Sequence, residues 1–359
     1  MSGRVVDATN GALAGRRLRV AANALRFSAN YLAGTYGAAA SAPAAPAALL
    51  IGITNKCNLR CDFCFHAGTD IPTAARRAKG SMSYERFAAI VEQARGWCTH
   101  LEFGLFGEPM LHPRFADMVR LAVDADLTVA IYTNATLLDG ARAAELVEAG
   151  PASITVSMEG ATAAEYDRLR VGASWQEVTD NVRGLLAARR AAGRQRPHVV
   201  VRGIALEGQA EQRRAHAALY RGMGVDQVMW VPATNWSGSL RAPQGSVRVP
   251  PPPARTQLCT FPRLQLGIDW DGTAVPCCVD FNAKNVLGNV DQTPLREIWA
   301  GPAITALRRT LATRDLTRIA AGTGCAGCSQ LSRPALPLDK KLQLARMALS
   351  EFRVRLADD

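Results

Sequence analysis

Apolar residues recur along the chain in two alternating rhythms. Short, nearly continuous apolar runs stand at 48–54, 100–105, 127–132, 152–156, 198–204 and 227–231. Runs of that length, bounded by glycine-containing or polar segments, predict the buried strands of a parallel sheet. Between them the period lengthens. Phe87, Ile90, Val91 and Ala94 recur at helical spacing behind Ser83, a residue suited to cap the helix predicted over 84–95. Six such alternations predict an α/β fold, a partial (β/α)6 TIM-like barrel open on one side.

Past the sixth strand the pattern changes. A proline-rich stretch over 242–255 reads as an extended linker. Two apolar strips then flank Asp271-Gly272, the preferred turn chemistry of a β-hairpin, and residues 295–299 lead into a helix. At the front, Leu18, Leu25, Ala29 and Leu32 repeat at helical spacing in a basic segment. They predict an amphipathic helix packed on the main domain, with contact to a membrane surface as the alternative. The expected organisation is a basic helix and Ala/Pro linker over 1–47, the barrel over 48–240, and a linker over 241–256. A small C-terminal domain over 257–335 and a helix over 336–359 complete it.

Composition changes this picture little. At 359 residues and 48% hydrophobic content the chain is long enough for about two globular domains. No apolar run reaches membrane-spanning length. The 42 basic against 31 acidic residues accompany a general richness in alanine and arginine. A basic surface suits a phosphorylated or nucleotide-linked substrate, but no nucleic-acid recognition motif accompanies it, so no nucleic-acid partner is expected.

Cysteine chemistry changes it most. Seven of the nine cysteines form two groups, Cys57, Cys61 and Cys64 near the front, and Cys259, Cys277, Cys325 and Cys328 near the back. The front spacing, C-x3-C-x2-C, places three sulfurs on one loop leaving the carboxyl end of the first predicted strand, the end that carries active sites in barrel-like α/β folds. Three thiolates leave one iron of a 4Fe-4S cluster open, whereas four close it. A zinc site with His66 as fourth ligand is the alternative at the front, and structural zinc at the back. A disulfide framework does not suit a long chain without a secretory signal, and a cytoplasmic setting is expected. Cys98 reads as a buried small hydrophobe, and Cys278 stands beside a ligand position.

The front loop, with Phe63 just before its last cysteine, resembles the radical S-adenosylmethionine (SAM) superfamily. That resemblance implies that the open iron binds SAM, whose reductive cleavage releases a 5'-deoxyadenosyl radical able to take hydrogen from an unactivated C–H bond. Gly107-Glu108-Pro109 resembles the element facing the SAM amino group, and Thr133-Asn134 one near its ribose. Ser157-Met158-Glu159-Gly160 stands where the family often has S-x-D-G, with Glu159 as the departure. Arg170, with Arg168 behind it, resembles an arginine holding the SAM carboxylate, a match for a guanidinium fork.

The segment from Cys259 to Cys328 resembles the SPASM and twitch extensions of the same superfamily. No cysteine follows Cys328, which fits the single-cluster twitch form and implies one auxiliary 4Fe-4S cluster that passes electrons. The implied cofactors are therefore SAM and two 4Fe-4S clusters, with an electron donor such as flavodoxin or ferredoxin. Within the resemblance Cys278 is either a hydrogen-atom donor or an inert packing residue, Asn235 and Trp236 either meet substrate or pack a loop, and Arg202 points either inward or outward.

The implied reactions act on a small polyhydroxylated substrate, a sugar, aminocyclitol or nucleoside. Either an alcohol is oxidised to a ketone or a carbon is inverted, as in a biosynthetic pathway. Modification of a ribosomally made peptide is the alternative, though the stretch ahead of Cys57 is expected to be too short for a peptide-recognition domain. The non-enzymatic reading is a zinc-stabilised binding module.

Overall fold

A computed structural model describes residues 25, 29, 44–61, 63–66, 77–160, 162–205, 210–231, 233–236, 259–313, 315–319 and 323–332. All six predicted strands form: β1 (Ala48–Ile51), β2 (His100–Phe103), β3 (Thr128–Thr133), β4 (Ser153–Ser157), β5 (His198–Ile204) and β6 (Gln227–Val231). They pair in parallel, each with its neighbours in sequence. The connecting helices are α1 (Tyr84–Ala94), α2 (Phe115–Asp124), α3 (Gly140–Ala149), α4 (Ala163–Leu169), α5 (Trp175–Ala191) and α6 (Ala210–Gly222).

The two faces of the sheet differ because side chains alternate along a strand. Leu49, Ile51, Leu101, Phe103, Val129, Ile131, Ile154, Val156, Val199 and Val201 lie in one buried core with Phe87, Ile90 and other residues of the helices. The intervening positions, among them Leu50, Glu102, Tyr132, Thr155 and Arg202, belong to the opposite, inner face. Ser83 caps α1 as expected, its hydroxyl accepting from Arg86 N at 3.1 Å. Gly150 ends α3 at φ +76°, a left-handed position suited to glycine.

The C-terminal segment contributes α7 (Phe261–Leu264), β7 (Gln265–Ile268), β8 (Thr273–Val275), β9 (Gly288–Asn289), α8 (Leu295–Ala300) and α9 (Pro302–Ala312). The predicted hairpin is β7–β8, turning through Gly272 at φ +84°. Its placement was not legible in the pattern. β7 pairs in parallel with β1, from Ala48 opposite Gln265 to Ile51 opposite Ile268, so one sheet runs β6-β5-β4-β3-β2-β1-β7-β8-β9. Among the described residues no strand pairing closes this sheet into a ring. Arg77 forks onto Asp269 and Asp271, and Arg86 onto Asp291, fastening the barrel to the hairpin segment.

Leu25 and Ala29, the two described residues of the predicted N-terminal helix, are helical and exposed. The rest of that helix, the 241–256 linker and the 336–359 helix lie outside the described residues. No helix among the described residues is long and apolar enough to cross a membrane.

Candidate active site

The three-cysteine loop follows β1 at the carboxyl end of the sheet. Leu59, Cys61, Phe63 and Leu169 form a buried cluster against which Cys57 and Cys64 pack. Arg60 N donates to Val171 O at 3.0 Å and Cys64 N to Cys61 O at 3.0 Å, which folds the loop onto the end of α4. Burial pushes the free thiols up, Cys61 to about 11 and Cys64 to about 12. Ligation must therefore release protons.

Gly107 has a steric cause. A Cβ there would stand 2.2 Å from Thr54 O and 2.6 Å from Lys56 O, so only glycine lets the loop after β2 lie against the cysteine loop. Glu108, 2% exposed, does structural work through its side chain. Oε1 accepts from Met110 N at 3.2 Å and Thr133 Oγ1 at 2.8 Å, and Oε2 accepts from Asn134 N at 2.8 Å. Burial raises its carboxyl pKa against these donors. Pro109 opens the short 3-10 turn that Glu108 caps.

Asn134 joins the same loop. Its Nδ2 donates to Asn58 Oδ1 at 2.9 Å and reaches Cys57 Sγ at 4.0 Å, while its Oδ1 accepts from Thr136. Ser157 stands half-buried at the end of β4. Glu159, 6% exposed, pairs with Arg170 Nε, and Arg170 Cζ lies 5.4 Å from the Phe63 ring centroid. Burial alone would depress Arg170, but Glu159 and Cys61 hold its pKa well above the usual value. Arg168 is exposed. Glu159, the departure from S-x-D-G, keeps a carboxylate and sets it on the Nε edge of Arg170.

The second cysteine group converges as well. Cys259, Cys277, Cys325 and Cys328 line one apolar pocket, walled by Phe261, Val279 and Leu331. Asn285 Nδ2 reaches Cys325 Sγ at 3.9 Å, and Asp280 holds the loop that follows it by accepting from Lys284 N and Asn285 N. Burial pushes Cys259 to about 12. Among the described residues no group of three His, Cys, Asp or Glu side chains is disposed around a single metal ion. The donor sets, three thiols on one loop and four on one apolar cavity, fit iron-sulfur clusters.

Cys278 departs from its neighbour. It is not in the lining of the four-cysteine cavity but stands at its border, packing on one side against the cluster that holds Val279 and Cys328 and on the other against Leu105, Phe106 and Val275 at the inner face of β1. Cys98 is buried, its thiol directed to Pro46 O and His100 O, as a packing residue should be. His66 spends Nε2 on Phe106 O at 2.9 Å.

Asn235 and Trp236 pack between loops. Asn235 binds the backbone of Gly327 and Ser329, and Trp236 binds Phe63 O. Phe65 stacks on Phe281 at 4.5 Å and meets Trp236 edge-on at 5.0 Å, an aromatic wall between the two cysteine loops. The sequence carried no periodic signal for this wall, because its members come from three distant loops.

Residues 51–219 match the radical SAM superfamily, and residues 259–329 match an iron-sulfur cluster-binding domain, SPASM. A tungsten-containing aldehyde ferredoxin oxidoreductase cofactor-modifying protein of Pyrococcus furiosus is 27% identical over 300 residues, 72% of this chain and 82% of the relative. BtrN in complex with AdoMet and 2-DOIA has a similar structure, with a TM-score of 0.52 and 19% identity over 78% of this chain and 92% of BtrN. Streptococcus suis SuiB bound to precursor peptide SuiA gives a TM-score of 0.59 and 13% identity over 74% of this chain and 67% of SuiB. At these identities the two structures speak for a shared fold.

Proposed function

The chain is a radical SAM enzyme with a C-terminal SPASM domain, and from that premise we propose that it acts on a C–H bond of a small polyhydroxylated substrate, giving inversion at carbon or oxidation of an alcohol. Cys57, Cys61 and Cys64 would hold the SAM-binding 4Fe-4S cluster, and Cys259, Cys277, Cys325 and Cys328 the auxiliary one. Bound, these groups and SAM supply a 5'-deoxyadenosyl radical that removes hydrogen from substrate, and a second redox centre.

The chain's own residues supply positioning. Glu159 fixes one edge of Arg170, which leaves its terminal nitrogens for a carboxylate such as that of SAM. Glu108 and Asn134 hold the two loops against the cysteine loop. The apolar wall of Phe65, Phe106 and Phe281 keeps water from the space where a carbon radical must survive.

The observation that carries the inversion reading is the position of Cys278, outside the lining of the four-cysteine cavity and packed between that cluster and the inner face of the sheet. There its S–H can give a hydrogen atom to a substrate radical: the S–H bond breaks, a C–H bond forms, and a thiyl remains on Sγ. One electron and one proton restore the thiol, the electron coming from a flavodoxin- or ferredoxin-class donor.

Reaction of the reconstituted enzyme in deuterated water with candidate sugars, aminocyclitols and nucleosides tests this. Inversion with deuterium at the new C–H bond, lost in Cys278→Ala, supports it. A ketone formed equally by the variant selects dehydrogenation. About eight irons per chain and cleavage of SAM belong to either reaction, whereas two zincs and no iron would return the chain to a binding module.

A peptide substrate is the second reading, favoured by the shared fold with SuiB bound to a precursor peptide. Saturable binding of a leader peptide to this chain supports that reading over a free sugar.

A further inference from the structure

Arg202 lies on β5 between Ser157 of β4 and Met229 of β6. Val199 and Val201 of the same strand face the helices, so alternation turns Arg202 to the inner face. Its Cζ stands 5.5 Å from the ring centroid of Tyr132 on β3, reaching across β4. Gly104, at φ +132°, makes room for that ring, since a Cβ there would fall 2.6 Å from Tyr132 Cβ.

Arg77, Arg86, Arg170 and Arg189 each have a carboxylate partner. Arg202 does not: among the described residues its guanidinium has no ion pair or side-chain hydrogen bond, and it lies over the Tyr132 ring. The same interior holds Cys278, which packs with Leu50, Leu105 and Val275 on the inner face. A half-buried guanidinium with an aromatic backing and all its donors free is a receptor for a planar or tetrahedral oxyanion.

We propose that Arg202, backed by Tyr132, is a binding site for a carboxylate or phosphate of the substrate and anchors it in the interior that Cys278 also faces. The inference rests on the radical SAM reading above and narrows it. The substrate is an acidic or phosphorylated compound, and a neutral or purely cationic sugar derivative lacks the group this site takes.

The test needs no knowledge of the substrate. Reconstituted holoenzyme, without oxygen, is alkylated with anionic iodoacetate or neutral iodoacetamide, and the modification rate of Cys278 is read by mass spectrometry. Both reagents attack the same thiolate, so their rate ratio cancels changes in thiol acidity and reports attraction of the anion. The ratio should be roughly tenfold higher in the wild type than in Arg202→Gln, with Arg202→Lys in between.

Inorganic phosphate or acetate should slow iodoacetate and spare iodoacetamide, in the wild type alone if the Gln variant does not fold. Stronger competition by phosphate assigns a phosphorylated substrate, and by acetate a carboxylate. Equal ratios in wild type and variant, no labelling of Cys278 by either reagent, or competition by neither anion would each overturn the proposal. Loss of the preference on adding SAM also overturns it, because Arg202 would then belong to the SAM carboxylate. SAM cleavage is measured on the same preparation: its absence defeats the radical reading while leaving the ratio interpretable.

Discussion

Trp236 donates its indole N–H to the backbone carbonyl of Phe63 at 2.8 Å. Its neighbour Asn235 grips the other cysteine loop, with Nδ2 on Gly327 O at 2.7 Å and Oδ1 accepting from Ser329 N at 2.9 Å. Two adjacent residues therefore tie the three-cysteine loop to the C-x2-C loop, and Trp236 holds φ at +46° to do so.

Trp236→Phe keeps most of the ring and loses the bond. It should cost about 1 kcal/mol and lower Tm. Asn235→Ala, losing two side-chain bonds, should cost about 2 kcal/mol. Both variants should give up iron faster to a chelator than the wild type. A Phe variant with wild-type Tm and iron retention would show that the strap bears no load.

Glu159→Gln leaves Arg170 buried without its counter-charge, and the expected loss is on the order of 3 kcal/mol in thermal or urea unfolding. The double variant Glu159→Gln/Arg170→Met should recover much of that stability. SAM affinity should not recover, remaining at least tenfold weaker by equilibrium dialysis. Wild-type SAM binding in the double variant would remove Arg170 from the SAM site.

Gly107→Ala forces a methyl group into two backbone carbonyls. The loops after β1 and β2 must separate, at a cost of about 3 kcal/mol. Iron analysis should find the front site depleted and the C-terminal site retained, since the four-cysteine cavity is built from other segments. Equal loss at both sites would mean that the two loops do not assemble independently.

The pH dependence of stability has one clear source in His216 on α6. Burial against Tyr220 and Trp230 lowers its pKa from 6.5 to about 4, with Glu165 opposing weakly. The unfolded chain binds this proton near 6.5 and the folded chain only near 4, so stability present above pH 6.5 is lost as pH falls towards 4. The loss from this group is at most about 3 kcal/mol. His216→Phe should flatten the fall of stability between these pH values, as followed by urea unfolding. It also removes a buried Nδ1 that has no hydrogen-bond partner among the described residues.

Much of this molecule is written locally. The six strands, the Ser83 cap, the Asp271-Gly272 turn and the two cysteine groups were legible because each depends on side-chain period, a short-range hydrogen bond or the spacing of one residue type. The chemistry of three thiols against four follows from ligand count alone. Glu108, Asn134, Glu159 and Arg170 were legible as motif positions, but which atoms they bind was not.

Those bonds join residues far apart in the chain, and nothing in either residue's own neighbourhood specifies the other. The pairing of β7 with β1, the Asn235-Trp236 strap, the contact of Cys278 with the inner face and the reach of Arg202 to Tyr132 are of this kind. They depend on how strands stack and which face each side chain meets, and these are settled only when the whole sheet buries its apolar side against the helices.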